Sequence, residues 1–166
     1  MKDFSVISDT TPLLAFIKKN ELGLLKTLFN QLIIPKAVYD EVLNTPKNLT
    51  NEGRIFEDEL KKNWISVREL ESPKYPDLGL GKGENEAINL CIENENPLLL
   101  IDEKKGRNIA KSLKIKILGT VGVLNLIKKK DLKNNNELIE NINLIIKRGF
   151  YLSSEVILNF IDNLKK

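Results

Sequence analysis

The sequence contains no histidine and a single cysteine, Cys91. Histidine-based acid–base mechanisms, internal disulfides and zinc sites built from cysteine and histidine are therefore excluded. No apolar run approaches the roughly 20 residues that span a bilayer, and residues 1–10 do not have the composition of a secretory signal. We expect a cytoplasmic protein without a membrane segment. If it is an enzyme, its chemistry must come from Asp, Glu, Ser, Thr, Tyr, Lys or a bound ion.

Net charge is also low, because the 166 residues include 26 basic and 23 acidic ones. An excess of +3 does not by itself predict nucleic-acid binding, although a local cluster such as Lys104, Lys105 and Arg107 could provide it. The length and the 42% hydrophobic content fit a single domain over residues 1–166. Within it, residues 131–166 are expected to form a C-terminal helical extension packed on the core.

Short apolar runs alternate with residues that are typical of helix starts. The runs cover residues 4–8, 32–34, 98–101 and 115–118, with a further strand expected at 64–67. The longest loop-like stretch, residues 68–82, is the best candidate for a mobile lip, and two amphipathic helices are expected near 137–147 and 153–164. This alternation predicts an α/β domain with a mostly parallel central sheet.

Asp9 and Asp102 each come directly after a predicted strand. Open parallel sheets bind ligands beyond the carboxyl ends of their strands, so these two side chains are expected to converge. Taken singly, each aspartate is more typical of a helix N-cap than of a catalytic site. Two aspartates at equivalent strand ends favour a shared site.

Three glutamates are candidates to join them. Glu41 lies on the apolar stripe of the helix that Pro35 opens, where a buried carboxylate needs a partner, although a position at the edge of the stripe would let it reach water. Glu84 points inward in the first turn of the next amphipathic helix, and Glu86 lies nearly opposite as a reserve. Both acids could instead simply complement the helix dipole.

Four acids brought together, Asp9, Glu41, Glu84 and Asp102, would repel one another unless a cation neutralises them. Oxygen ligands that leave positions open to water suit Mg²⁺ or Mn²⁺. Such an ion activates water and stabilises the leaving oxygen of a phosphodiester, so hydrolysis becomes feasible without histidine.

Five stretches of the chain resemble the PIN-domain family of metal-dependent ribonucleases, including the VapC-like toxins, and most closely a prokaryotic PIN branch of unknown function. They are residues 7–13 (ISDTTPL), 34–42 (IPKAVYDEV), 81–88 (GKGENEAI), 100–107 (LIDEKKGR) and 117–124 (ILGTVGVL). Their order and spacing are jointly specific. The resemblance implies a PIN-like three-layer α/β/α sandwich.

The resemblance also implies a set of site residues. The metal-holding and catalytic acids would be Asp9, Glu41, Glu84 and Asp102, with Glu84 standing where the family more often has aspartate and Glu86 able to substitute for it or join it. Ser8 or Thr10 matches the small hydroxyl beside the first acid. Lys104 and Arg107 are candidates to contact substrate phosphates, or they are simply helix-surface charges.

The biology that the resemblance implies is an endoribonuclease acting on single-stranded or structured RNA, either a processing enzyme or the toxin of a toxin–antitoxin pair. Such proteins are often homodimers, and a small antitoxin often occupies the acidic groove.

Two other interpretations remain open. A PIN-shaped module that has lost catalysis could serve as a protein- or RNA-binding partner, a possibility that Glu84 keeps open. A receiver-like phosphoacceptor domain also gathers acids at strand ends and has a Thr after a later strand, here Thr120. It fits less well, because the first strand is followed by one acid rather than two.

Overall fold

Five parallel strands form one sheet in the computed structural model of the protein, which describes residues 3–43 and 51–166. The strands are β1 (Ser5–Ser8), β2 (Leu32–Pro35), β3 (Ile65–Arg68), β4 (Pro97–Leu100) and β5 (Lys116–Leu118). Their order across the sheet is β3-β2-β1-β4-β5, with Ser8 opposite Leu100 and Ile7 opposite Ile33. The central position of β1 places its carboxyl end between those of β2 and β4.

The described residues also form nine helices. They are α1 (Thr10–Ile17), α2 (Leu22–Phe29), α3 (Lys36–Leu43), α4 (Asn51–Lys61), α5 (Lys82–Glu93), α6 (Lys104–Ser112), α7 (Thr120–Lys129), α8 (Asn135–Lys147) and α9 (Ser154–Leu164). The α/β class and the parallel sheet are confirmed. No helix in the described part of the chain is long and apolar enough to cross a membrane.

Internal contacts divide the chain into two units, residues 1–119 and residues 120–166. The first unit holds the sheet and α1 to α6, and the second holds α7 to α9. That residues 1–166 form one domain, with residues 131–166 packed on the core, stays a prediction.

The inner strands are apolar on both faces, as parallel strands between helices usually are. Ile7 and Leu99 are fully buried, and α5 packs Ala87, Ile88 and Cys91 into the same hydrophobic cluster. This cluster fixes the angle at which α5 begins. Its first turn is thereby held against the carboxyl end of the sheet, which is where the predicted acids lie.

Candidate functional site

Asp9 occupies the N-cap position of α1, but its side chain makes no capping hydrogen bond to the helix. It is 4% exposed. Burial raises the pKa of this carboxyl to about 7, partly opposed by the backbone N–H of Thr10, and the charges of Glu84, Glu41 and Asp102 raise it further. The structure therefore places Glu41, Glu84 and Asp102 near enough to Asp9 for their charges to act on its carboxyl.

Asp102 lies two residues beyond the end of β4, the neighbour of β1 in the sheet. The N-cap alternative is wrong for this residue, because Glu103 is the N-cap of α6 and its carboxylate accepts the Gly106 N–H at 2.7 Å. A Cβ at Gly119 would lie 3.0 Å from Asp102 Oδ1 and 2.8 Å from Arg107 Nη1. Glycine at position 119 thus leaves room for both side chains.

Glu41 is exposed, so the expectation that it lies on the buried stripe of α3 is wrong, and it sits instead at the edge of that stripe. Its carboxylate is nevertheless fixed. It accepts a hydrogen bond from the Thr10 hydroxyl and another, 3.1 Å long, from the Gly83 backbone N–H. Side-chain and backbone donors from α1 and α5 therefore hold the carboxylate of an otherwise exposed glutamate.

Glu84 is half-buried in the first turn of α5 and accepts the Gly81 backbone N–H at 3.2 Å. Burial raises the pKa of its carboxyl, and the charges of Glu103 and Glu41 raise it further, against the lowering effects of the Gly81 N–H and of Lys105. The dipole-capping and site roles of Glu84 thus coexist, since one oxygen caps the helix while its charge acts on Asp9.

Glu86 has a different environment. Its carboxylate accepts the backbone N–H of Ala37 at 3.0 Å, at the N-terminal end of α3. It is not among the acids whose charge acts on Asp9. In this structure Glu86 joins α5 to α3.

The two candidate hydroxyls differ in accessibility. Ser8 is fully buried, and its hydroxyl donates to the backbone carbonyl of Asp9 at 2.9 Å. A direct contact between Ser8 and a substrate does not fit that burial. Thr10 is half-buried, and its hydroxyl orients the carboxylate of Glu41.

Among the basic candidates, Lys104 is exposed on the first turn of α6, whereas Arg107 is half-buried and donates from Nη1 to the Ile101 carbonyl at 3.0 Å. The sequence placed Lys105 in a basic cluster but did not single it out as a phosphate-contacting residue, as it did Lys104 and Arg107. The Lys105 ammonium donates to the Gly79 carbonyl and lowers the pKa of Glu84. The sequence alone indicates that α6 carries positive charge. It cannot indicate that Lys105, rather than Lys104, contacts the loop, because that depends on where the Gly79 carbonyl lies in the structure.

The loop before α5 is tied down by two asparagines one helical turn apart. Asn89, 1% exposed, accepts the Tyr75 N–H at 2.8 Å and donates to the Tyr75 carbonyl at 2.9 Å. Asn85 accepts the Leu78 N–H at 2.9 Å and donates to the carbonyls of Tyr75 and Pro76. These ties do not fit the expected mobile lip. They make the loop a fixed wall that leads into Gly81.

The oxygen donors around Asp9 fit a hard divalent cation by their chemistry. Within residues 3–43 and 51–166, however, no three His, Cys, Asp or Glu side chains are close enough to form a ready-made metal cage. Magnesium is often held by only one or two carboxylates together with water and substrate phosphates. The carboxylates therefore fit Mg²⁺ or Mn²⁺ bound in that open manner.

The chain is similar to known proteins in two comparisons. The family model described as a PIN domain matches residues 5–166. A solved structure, a PilT N-terminus domain protein from the hyperthermophilic archaeon Sulfolobus solfataricus P2, is similar with a TM-score of 0.50 and 21% identity, over 72% of this chain and 89% of that one. At this identity the likeness shows the fold alone. No curated protein matches the chain.

Proposed function

Because the chain belongs to the PIN-domain family, a nuclease-type fold, we propose that it is a metal-dependent endoribonuclease that hydrolyses phosphodiester bonds in RNA. The observation that supports this most is the environment of Asp9. Its buried carboxyl follows the central strand, makes no helix cap, and experiences the charges of Glu84, Glu41 and Asp102. Such a concentration of negative charge destabilises the metal-free site and favours a bound cation.

In this proposal Asp9 and Asp102 hold Mg²⁺ or Mn²⁺, with Glu41 and Glu84 completing the negative environment. When bound, the cation supplies a lowered pKa of its coordinated water and charge stabilisation at the leaving oxygen. Thr10 and the Gly83 N–H fix the carboxylate of Glu41, and the Gly81 N–H fixes that of Glu84. These contacts pre-organise the acids before substrate arrives.

Positive charge for the RNA comes from α6. Arg107 lies beside Gly119 with Asp102, and Lys105 lies beside Glu84. In the proposed complex both contact the phosphates that flank the cleaved bond, where cationic donors offset the repulsion between carboxylates and a polyanion. Lys104, exposed at the start of the same helix, contributes a weaker and more distant attraction.

The second candidate is a PIN-shaped protein that has lost catalysis. Two observations favour it: no three acidic side chains in the described ranges form a metal cage, and Glu84 stands where aspartate is more usual. The protein would then be a binding module for RNA or for another protein. Retention of all four acids around Asp9 favours the nuclease.

The deciding experiment is cleavage of a panel of labelled single-stranded and structured RNAs by purified protein with Mn²⁺, Mg²⁺ or EDTA. Asp9→Asn and Asp102→Asn test the site, and Glu86→Gln is the matched control, since glutamine keeps an oxygen that can accept the Ala37 N–H. We expect metal-dependent cutting that both aspartate variants abolish and the Glu86 variant retains. Failure of pure, folded protein to cut any RNA would instead favour the binding module.

The toxin role, the homodimer, the small antitoxin in the acidic groove and the cytoplasmic location are part of the same proposal. Expression of the wild-type chain should arrest bacterial growth, and Asp9→Asn should not. Light scattering on the purified protein measures its oligomeric state. Equal growth with both chains would remove the toxin role and leave the nuclease assay unaffected.

A further inference from the structure

A basic cavity lies within the second unit, residues 120–166. It measures about 590 Å³ and is lined by Asn125, Lys128, Lys129, Asp131, Asn163 and Lys166. A second cavity of about 420 Å³ shares Lys128 and Asp131 with it and continues along residues 134–136, which are all asparagine. We call these two adjoining cavities the lysine groove.

Three lysines and one acidic residue, Asp131, line the larger cavity, so its side chains carry an excess of positive charge. Within residues 3–43 and 51–166, none of these three ammonium groups is within 4.0 Å of a carboxylate. The neighbouring Lys165, by contrast, lies 3.6 Å from Asp162. The lysine groove therefore presents cationic groups that the described protein does not neutralise.

Lysines in the last turn of a helix often do no more than stabilise its dipole, and that role accounts for Lys128 and Lys129 at the end of α7. Lys166, two residues beyond the end of α9, brings a third lysine to the same cavity. The side chains of Asn163 and Asn125 meet at 3.5 Å, so α9 and α7 approach each other at this place. Two helices thus contribute donors to one concave surface.

The side chains that line the groove indicate the chemistry of its ligand. Ammonium groups bind phosphate oxygens, and amides bind sugar hydroxyls and base edges. No aromatic side chain lines either cavity, so bases have no stacking platform there. The combination suits a phosphodiester backbone, bound with little dependence on base sequence.

We propose that the lysine groove binds the backbone phosphates of single-stranded RNA, and that it does so through residues that take no part in cleavage. The identity of the ligand as RNA rests on the proposed function; the preference for a polyphosphate strand rests on the groove itself. The groove contributes to affinity and its salt dependence rather than to the chemical step.

The test is fluorescence anisotropy of a short labelled single-stranded RNA in EDTA, which prevents metal-dependent cleavage, over a series of salt concentrations. Lys128→Gln/Lys129→Gln is compared with Lys26→Gln/Lys147→Gln, which removes the same charge from exposed helix positions outside the groove. We expect only the groove variant to lose about 1.4 from the slope of log affinity against log salt, about 0.7 for each phosphate contact. Its affinity near 0.1 M salt should fall about tenfold.

Lys128→Arg/Lys129→Arg keeps the charge and should keep the slope, and thermal melting confirms that each variant is folded. Single-stranded DNA should bind with a similar slope, because it carries the same phosphates. Equal slopes in the groove and control variants would overturn the proposal. So would competition by polyglutamate as strong as that by RNA, which would make an acidic protein the ligand.

Failure of the nuclease proposal gives a different result. If wild-type protein cuts no RNA with Mn²⁺ while the groove variant alone loses salt-dependent binding, the lysine groove stands and the catalytic assignment falls. If Asp9→Asn abolishes cutting and the groove variant alone loses part of the salt slope, both proposals stand.

Discussion

The backbone N–H of Gly83 donates to the Glu41 carboxylate at 3.1 Å, and a Cβ at position 83 would lie 2.8 Å from the same oxygen. Only a residue without a side chain permits this approach. The hydrogen bond joins the start of α5 to α3 and holds one of the acids near Asp9. Gly83 is therefore part of the site, although it carries no functional group.

Gly83→Ala is expected to fold, because the obstructed atoms are the far end of the flexible Glu41 side chain. The displaced carboxylate should lower RNA cleavage, by up to about a hundredfold, because small misplacements in an active site can be that costly. Gly23→Ala is the matched control, since a Cβ there meets nothing within 4 Å. It should leave cleavage unchanged and raise the unfolding free energy by about 0.4–1 kcal/mol. A wild-type rate in Gly83→Ala would contradict the role given to Glu41.

The raised pKa of Asp9 leads us to expect that the unfolding free energy of the metal-free protein depends on pH in an unusual way. That pKa is raised from 3.8 to about 7, so the folded state binds the proton more tightly than the unfolded chain does. The contribution of Asp9 to the unfolding free energy therefore falls as pH rises from about 4 to about 7. Asparagine at position 9 cannot ionise, so the Asp9→Asn variant does not lose this unfolding free energy as pH rises.

We accordingly expect Asp9→Asn, in EDTA, to be more stable than wild type near pH 8 by up to about 4 kcal/mol, and nearly equal to it below pH 4. Urea unfolding at the two pH values measures both. Asp58→Asn is the control, because the Asp58 side chain is 68% exposed and lies outside the site. A destabilised Asp9→Asn near pH 8 would show that the carboxylate is compensated within the protein.

Asn89→Leu tests the wall that leads into α5. Leucine keeps the volume but removes the acceptor of the Tyr75 N–H and one of the two donors to the Tyr75 carbonyl, at a cost of about 1–3 kcal/mol in unfolding free energy. Hydrogen exchange at the Tyr75 amide should accelerate. Asn108→Leu, at an exposed position on α6, makes the same chemical change without a tie to the loop. Unaltered exchange at Tyr75 in Asn89→Leu would contradict this account.

Lys105→Gln and Lys104→Gln remove the same charge from adjacent positions. Only Lys105 contacts Gly79 and acts on Glu84. We therefore expect Lys105→Gln, but not Lys104→Gln, to raise the KM for RNA, by about tenfold at low salt. Initial rates over a range of RNA concentrations measure the difference. Equal effects would mean that α6 acts through its total charge and not through a contact at Lys105.

The strands could be predicted because buried parallel strands are continuous apolar runs with distinct ends. The expected runs differ from β1, β2, β3, β4 and β5 by a residue or so at their ends. Helices α2 and α4 were not predicted. The sequence of α2 does carry a helical apolar spacing, because Leu22, Leu25 and Leu28 are all buried. The signal in α4 is weaker, because only Gly53 and Phe56 are buried there.

For the site, position along the chain was enough where a residue follows a strand, as Asp9 and Asp102 do. It was not enough on helices. The helical period placed Glu41 near Ala37 and Val38, but it cannot say where the stripe meets water, and the donors that hold Glu41 come from distant Thr10 and Gly83. For the same reason it treated Glu86 as outward-facing, whereas α3 lies there.

Every tie from Asn85 and Asn89 to the preceding loop ends on a backbone atom of that loop. The course of the loop is thus determined largely by two side chains of α5, whereas loop side chains such as that of Glu71 are exposed and accept none of these hydrogen bonds. Antibodies are built in the same way, because their variable binding loops are held by a rigid β-sandwich. Here the side-chain amides of Asn85 and Asn89 hold the loop backbone. Substitutions of exposed loop side chains can therefore alter the surface beside the acids while the acids stay in place.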